Sequence, residues 1–160
     1  MSVWRRFENF GYPSLVTTNT ADRRPVFSSD TACLAMLAVM DGVRAEERFD
    51  ILAYVLMPDH AHFVLWLPPP LMIGRVMQLL KGRFSRRYNE SRRAAGQLWQ
   101  ERYHERALRD DRALENAIEY VHNNPVAAQL VGDRELYRWS SACDAGPYFR
   151  QAKSLTRELG

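Results

Sequence analysis

The sequence predicts an α+β fold in which four antiparallel strands and two helices follow one another as βαββαβ, with a further helix after the last strand. Short apolar or β-branched runs are separated by longer segments of helical periodicity. A further segment of helical periodicity follows the last of the short runs. The chain has 160 residues, of which 46% are hydrophobic and 26% charged, and it contains no repeat or low-complexity segment. We therefore expect one globular domain over residues 1–160.

The first strand and the first helix are predicted from β-branched residues and from a capping residue. Residues 14–20 are rich in Thr and Val and precede a turn-like Asp-Arg-Arg-Pro, as is typical of a strand that ends in a turn. Ser29 or Asp30 can cap a helix that runs to about Val43, with apolar side chains at the i, i+4 and i+7 positions.

Two apolar strands follow, and a tight reversal joins them. Residues 49–57 and 60–67 are the apolar runs, and Pro58 and Asp59 between them are typical turn residues. Strands connected by so short a segment pair antiparallel as a hairpin.

The second half of the chain is predicted as helix, strand and helix. Residues 73–93 carry one apolar stripe, and residues 98–108 alternate imperfectly but include Trp99, Tyr103 and Leu108, which indicates a strand. Asp110 or Asp111 caps the last helix, which we expect to end near Asn124, because the residue before a proline is disfavoured in the α region. The first six elements follow the plan of a ferredoxin-like sheet, with helices on one face and the other face available for a site.

Composition excludes several classes of protein. The longest apolar run, Ala32 to Met40, is about nine residues, whereas a membrane-spanning helix needs about 20. The first residues lack the apolar segment of a secretory signal, so we expect a cytoplasmic protein without a membrane partner. Cys33 and Cys143 lie far apart, which excludes a disulfide framework or a thiolate zinc cluster.

Basic residues are concentrated in one segment. Arginine accounts for 20 of the 22 basic residues, and residues 75–112 hold 11 basic against five acidic side chains. Such a segment on a slightly acidic remainder is typical of a nucleic-acid footprint, since guanidinium groups bind phosphate oxygens in pairs. The residues predicted to bind DNA phosphates lie on or next to the second helix: Arg75, Lys81, Arg83, Arg86, Arg87, Arg92 and Arg93.

Two histidines form the candidate metal site. His60 and His62 are two residues apart on a predicted strand, so their side chains point to the same face. That spacing lets two imidazoles bind one metal ion. Ala61 and Phe63 supply the buried face, which leaves the histidines on the face that helix packing need not cover.

The last helix adds a tyrosine and an amide. Tyr120 lies off the apolar stripe of this helix, and Asn124 lies one turn later on the same side, where its amide oxygen is a suitable hard ligand. His122 falls on another side of the helix and is expected to be solvated. His104 has no geometric link to the site from sequence alone.

Five segments in order resemble the REP-associated tyrosine transposases, which belong to the single-tyrosine HUH transposase superfamily. These segments, between about residues 12 and 142, are MPDHAHFVLWL (57–67), LKGRFSRRY (80–88), LWQERY (98–103), EYVHNNPV (119–126) and WSS (139–141). Five motifs in the expected order are far more specific than the histidine pair alone.

The resemblance implies roles for individual residues. His60 and His62 match the metal ligands of the superfamily, Tyr120 matches its nucleophile, and Asn124 matches a third metal ligand. It also implies a divalent cofactor, Mg²⁺ or Mn²⁺, and cleavage of single-stranded DNA next to palindromic hairpins through a 5′-phosphotyrosine. The implied partner is hairpin-bearing single-stranded DNA, and the protein is expected to act as a monomer or a homodimer.

One pair of residues departs from the family pattern. Many relatives carry an Asp-His pair in the strand after the basic helix, where this chain has Glu105 and Arg106. If that pair contributes to the site, the metal environment or the DNA contact differs here.

Two alternative functions stay open at this point. A ferredoxin-like sheet also serves non-catalytic single-stranded nucleic-acid-binding modules, although these rely on exposed aromatic residues instead of a histidine pair. A hydrolytic metal-dependent nuclease would use water as the nucleophile and leave Tyr120 a structural role. A covalent protein–DNA adduct distinguishes these alternatives from a transposase.

Overall fold

One antiparallel sheet forms the centre of the protein, and the computed structural model describes residues 11–143. Its strands are β1 (Ser14–Thr20), β2 (Asp50–Met57), β3 (His60–Trp66) and β4 (Trp99–Ala107), in the spatial order β2-β3-β1-β4. Each neighbouring pair is antiparallel. This confirms the ferredoxin-like plan, while the ends of the expected 1–160 domain lie outside the described residues.

Three helices cover the sheet. Helices α1 (Asp30–Glu47) and α2 (Ile73–Arg92) pack on one face, and α3 (Asp111–Ala127) packs on the other. Short 3₁₀ turns occur at 21–23, 26–28 and 134–136. The caps are as expected, because Ser29 and Asp110 each accept a hydrogen bond from a backbone N–H of the first helical turn.

The alternation of side chains along the strands divides the apolar residues into two cores. On β3, Ala61, Phe63 and Leu65 pack against α1 and α2, whereas Val64 packs against α3. The α3 core also contains Leu114 and Val121. The face that carries the histidines is therefore partly covered by a helix, which differs from our expectation that packing need not cover it.

Helix α3 extends past the residue where we expected it to end. It continues through Pro125 to Ala127, and the N–H of Ala128 still donates to the carbonyl of Asn124 at 3.0 Å. Pro125 itself is among the buried residues of this helix. A proline in the last turn removes one hydrogen bond, and burial of the surrounding apolar side chains outweighs that loss.

The segment after α3 returns to the outer edge of β2. The N–H of Leu56 donates to the carbonyl of Trp139 at 2.8 Å, and the N–H of Ser141 donates to the carbonyl of Tyr54 at 3.0 Å. Val55 and Ser140 form an isolated bridge between these contacts. This edge of the sheet is thus capped by residues 139–141.

Over residues 11–143, no helix has the length and apolar character needed to cross a membrane.

Candidate active site

The histidine pair lies on β3, on the face of the sheet that α3 partly covers. The rings of His60 and His62 are 4.8 Å apart between centroids and meet at 83°. Strand pairing places Thr17 of β1 opposite His62, and Asn19 opposite His60. The predicted convergence of the two imidazoles is therefore present in the structure.

His62 is buried and has one hydrogen-bond partner. Only 3% of its surface is exposed, and its Nδ1 lies 2.7 Å from the hydroxyl of Thr17. Burial, with the nearby positive charges of His60 and Arg23, lowers the pKa of His62 to about 4. The imidazole is thus uncharged at neutral pH, as metal binding requires.

The other ring nitrogen of His62 has no partner in the part of the chain that the structure describes. Its Nε2 is buried and forms no hydrogen bond. A buried polar atom without a partner costs about 1–3 kcal/mol, so its retention needs an explanation. A metal ion bound to that lone pair would provide one.

His60 is oriented by the residue before it. Its Nδ1 donates to the Asp59 carboxylate at 2.7 Å, which leaves Nε2 free to bind a metal. Burial alone would raise the pKa of Asp59, but the hydrogen bond from His60 and the charge of Arg23 outweigh it and lower the pKa. Arg23 contacts the same carboxylate at 3.0 Å.

Tyr120 of α3 lies against the buried histidine. Its ring is 5.2 Å from that of His62, at 72°, and 51% of the residue remains exposed. The aromatic ring thus packs on the histidine while half of the residue is open to solvent. This agrees with the prediction that Tyr120 lies off the core stripe.

Asn124 is half-buried on the same helix, and with Tyr120 it lines one depression beside the end of α3. Within residues 11–143, no group of three His, Cys, Asp or Glu side chains can hold a metal. If the histidine pair binds a metal, a third protein ligand would be of another type, and the amide of Asn124 is of a suitable kind. The role of Asn124 as a ligand stays a prediction.

His104 was not expected at the site, and Arg106 was noted only as part of a departure from the family pattern, yet both line a depression beside Tyr120. This depression of about 340 Å³ also includes Leu15, Thr17 and Glu105. In the β1–β4 register Thr17 faces His104 and Leu15 faces Arg106, so His62, Thr17 and His104 form one row across three strands. Only the pairing of β4 with β1 reveals this row, since these strands are far apart in the sequence.

His122 corrects a second expectation, because it is buried instead of solvated. Its Nε2 lies 2.7 Å from the hydroxyl of Ser141, which in turn accepts from the N–H of Tyr54 at 2.9 Å. Burial and the charge of Arg134 lower the pKa of His122 to about 4. This network attaches α3 to the segment that caps β2.

The predicted DNA-binding residues of α2 lie on the opposite side of the sheet from Tyr120, and most of them have partners. Arg75, Arg83 and Arg86 form ion pairs with Glu47, Glu46 and Glu90, respectively. The guanidinium of Arg92 lies over the Tyr88 ring. Whether this set, which also includes Lys81, Arg87 and Arg93, binds DNA stays a prediction.

Lys81 is engaged inside the protein. Its Nζ donates to the carbonyl of Gln100 at 2.7 Å, where β4 departs from regular pairing with β1, and burial lowers the pKa of its ammonium group. The lysine therefore attaches α2 to β4.

Comparison with known proteins identifies the family. The profile described as "Transposase IS200 like" matches residues 12–124, which is most of the chain. The chain belongs to the IS200-like transposase family. It is accordingly an enzyme of the transposase type, as the resemblance of its five motifs indicated.

Two curated relatives carry the same kind of name. This transposase is 27% identical over 132 residues to the REP-associated tyrosine transposase of Escherichia coli K12, covering 79% of the present chain and 73% of that protein. It is 33% identical over 89 residues to a protein of Haemophilus influenzae that is assigned the same name, covering 49% of the present chain and 50% of that protein.

Two solved structures share the fold. A REP-associated tyrosine transposase bound to a REP hairpin superposes with a TM-score of 0.72 at 22% identity, covering 82% of this chain and 77% of that one. A transposase structure from Deinococcus radiodurans R1 superposes with a TM-score of 0.55 at 19% identity, covering 71% and 91%. These likenesses confirm the α+β architecture.

Proposed function

We propose that this transposase cuts and rejoins single-stranded DNA next to REP-type hairpins, with Tyr120 as the nucleophile and Mg²⁺ or Mn²⁺ as cofactor. The observation that carries the proposal is the placement of a half-exposed tyrosine ring 5.2 Å from a buried histidine whose Nε2 has no partner within residues 11–143. The named relatives, one of which is solved with a REP hairpin, favour the same substrate. A protein acting on chromosomal DNA of this kind would work in the cytoplasm.

The residues that would hold the metal are His60, His62 and Asn124. Asp59 orients His60 and the Thr17 hydroxyl orients His62, so that each ring can present Nε2 to a shared ion. When bound, the ion supplies a positive charge to a non-bridging phosphate oxygen, which makes an anionic phosphodiester open to attack.

The chemical step is a transfer of a phosphoryl group to Tyr120. The phenol loses its proton to solvent, and its oxygen forms a bond to phosphorus while the bond from phosphorus to the 3′ oxygen breaks. The departing 3′ oxygen takes up a proton, which gives a 3′-hydroxyl and a 5′-phosphotyrosine. Because one phosphoester replaces another, a 3′-hydroxyl can reverse the step and join strands without ATP.

The decisive experiment compares wild type with Tyr120→Phe on hairpin-bearing single-stranded DNA, with Mn²⁺ or with a chelator, on denaturing gels. We expect a metal-dependent adduct that survives denaturation and is absent from Tyr120→Phe. Tyr88→Phe is the matched control, because Tyr88 packs on Phe84 of α2, on the other side of the sheet.

Each other outcome identifies an alternative. Cleavage without an adduct that persists in Tyr120→Phe would indicate a hydrolytic nuclease. Binding without cleavage of any hairpin substrate would indicate a non-catalytic nucleic-acid-binding module.

A further inference from the structure

The depression on the β4 side of Tyr120 has a composition that suits a phosphate group. Its floor is formed by Leu15 and Thr17 of β1, and its outer wall by His104, Glu105 and Arg106 of β4. His104 and Arg106 are both exposed. At about 340 Å³ the space accommodates a phosphate together with part of its sugar.

No side chain among residues 11–143 neutralises the positive charge of Arg106. Across residues 11–143, neither His104 nor Arg106 forms an ion pair or a side-chain hydrogen bond, in contrast to the ion-paired arginines of α2. Glu105, which lies between them, accepts a hydrogen bond from the Ser14 hydroxyl at 3.2 Å. Ser14 packs on the α1/α2 side of the sheet. The Glu105 carboxylate is therefore held away from the Arg106 guanidinium.

A free guanidinium is well suited to an anionic ligand. Its planar fork can donate two parallel hydrogen bonds to phosphate oxygens, and such charge-assisted bonds are stronger than neutral ones. The two residues also share a sheet face with the histidine pair, because His104 lies in the same row as Thr17 and His62. A DNA strand that reaches Tyr120 is therefore close to His104 and Arg106.

We propose that His104 and Arg106 bind one phosphate of the single-stranded DNA beside Tyr120, so that β4 positions the strand for attack. This inference rests on the proposed function and adds a substrate contact to it. Arg106 supplies the charge and His104 a ring N–H donor. The cations of α2, on the other side of the sheet, are not part of this contact.

The test measures binding without cleavage, in a Tyr120→Phe background. The probe is a fluorescently labelled hairpin oligonucleotide with short single-stranded flanks, together with a series in which one flank phosphate at a time is replaced by an uncharged methylphosphonate. We expect replacement at one position, or two adjacent ones, to weaken binding about tenfold, as loss of a charge-assisted contact does. In a protein that also carries Arg106→Gln, replacing that phosphate should no longer weaken binding.

Arg102→Gln is the matched control. Arg102 is exposed on the same strand but lies outside the depression, in the stretch of β4 where the β1–β4 register shifts. Arg102→Gln should reduce the affinity for every probe by a similar factor, so that the same phosphate position still matters most. His104→Gln should weaken the effect of the same phosphate as Arg106→Gln does, and Arg106→Lys, which keeps the charge, should retain part of it.

The positional pattern decides the outcome. The inference is overturned if the pattern survives in Arg106→Gln, if no phosphate matters more than the others, or if Arg102→Gln removes the pattern equally. Because binding is the readout, these outcomes are separate from adduct formation by wild type. Failure of the nucleophile proposal therefore does not mask failure of the phosphate contact.

Discussion

Thr17 illustrates how the proposed site depends on side chains other than the proposed metal ligands. Its hydroxyl is the only hydrogen-bond partner of the His62 side chain within residues 11–143, and it also lies beneath the depression lined by His104. A ligand histidine keeps its ring orientation through such a contact, so loss of the hydroxyl should affect metal binding more than the fold.

Thr17→Val should lower Mn²⁺ affinity and metal-dependent adduct formation about tenfold to a hundredfold, because the imidazole loses its orienting partner. Titration of Mn²⁺ binding by calorimetry measures the first effect, and denaturing gels the second. Thr18→Val is the control, since the Thr18 hydroxyl is buried on the opposite face with no partner among the described residues. Equal Mn²⁺ affinity in Thr17→Val and wild type would contradict the orienting role.

Sequence reasoning located His60, His62 and Tyr120 because strand alternation and helical periodicity fix the side of an element on which a residue lies. The same reasoning missed His104. Its place beside Thr17 depends on the register between β1 and β4, strands separated by more than 70 residues. His122 was missed for a related reason, since the partner that buries it, Ser141, belongs to a segment after the helix.

Helix α3 carries Tyr120, the proposed nucleophile, so the contacts that hold this helix on the sheet bear on the proposed site. Its apolar stripe packs on β2 and β3, while the His122–Ser141 contact joins it to the chain that caps β2. The periodicity predicted this helix and its Asp110 cap. The continuation through Pro125 was not predicted, because the residue before a proline disfavours the helical conformation. In the structure, burial of the last turn outweighs this preference.

Acid should lower the free energy of unfolding, because two histidines at and beside α3 are held uncharged in the folded protein. His62 and His122 have pKa values of about 4 in the folded protein against an ordinary value near 6.5, so the unfolded chain binds more protons between these values. Stability is then independent of these groups above about pH 6.5 and falls as pH drops toward 4, by up to about 3 kcal/mol for each histidine.

Urea unfolding in chelator-containing buffer, at about pH 7 and about pH 4.5, measures this loss. His122→Gln keeps a hydrogen-bonding group near Ser141 but does not titrate, and it should show about half of the wild-type loss. His104→Gln, an exposed change on β4, should retain the full loss. An unchanged loss in His122→Gln would mean that this histidine is not held uncharged in the folded protein.

The chain as a whole brings the proposed nucleophile, Tyr120, and the histidine pair together without a second copy. Tyr120 packs against His62 of the same chain at 5.2 Å between ring centroids. The sequence left open whether the tyrosine completes its own site or that of a partner, because linear order contains no such distance. The geometry favours a site completed within one chain, whether the protein is a monomer or a homodimer.

A mixture of two inactive variants tests this arrangement. Tyr120→Phe retains the histidines, and His62→Gln retains the tyrosine, so an active site shared between subunits would be restored in mixed dimers. We expect no adduct on either variant in the mixture beyond that of each alone. A phosphotyrosine adduct on the His62→Gln chain, detected by mass spectrometry, would demonstrate that the tyrosine acts in the partner's site.

The distribution of charge is the feature of the whole molecule that the sequence described least well. The count of basic residues correctly identified a basic segment, yet it could not show that Glu46 and Glu47 of α1 face Arg83 and Arg75 of α2. Such pairing decides which guanidinium groups remain free for a ligand, and it depends on how two helices pack.

The position of β4 at the border of the sheet has a consequence for association between molecules. A border strand presents unpaired backbone groups that can add a strand from another chain, and charged side chains oppose this. The opposite border is capped by residues 139–141, whereas β4 alternates Glu101, Arg102, Glu105 and Arg106. Arg106, which we propose to bind DNA, thus also opposes association at this edge, and neutralising it together with the other three charges would impair both substrate capture and colloidal stability.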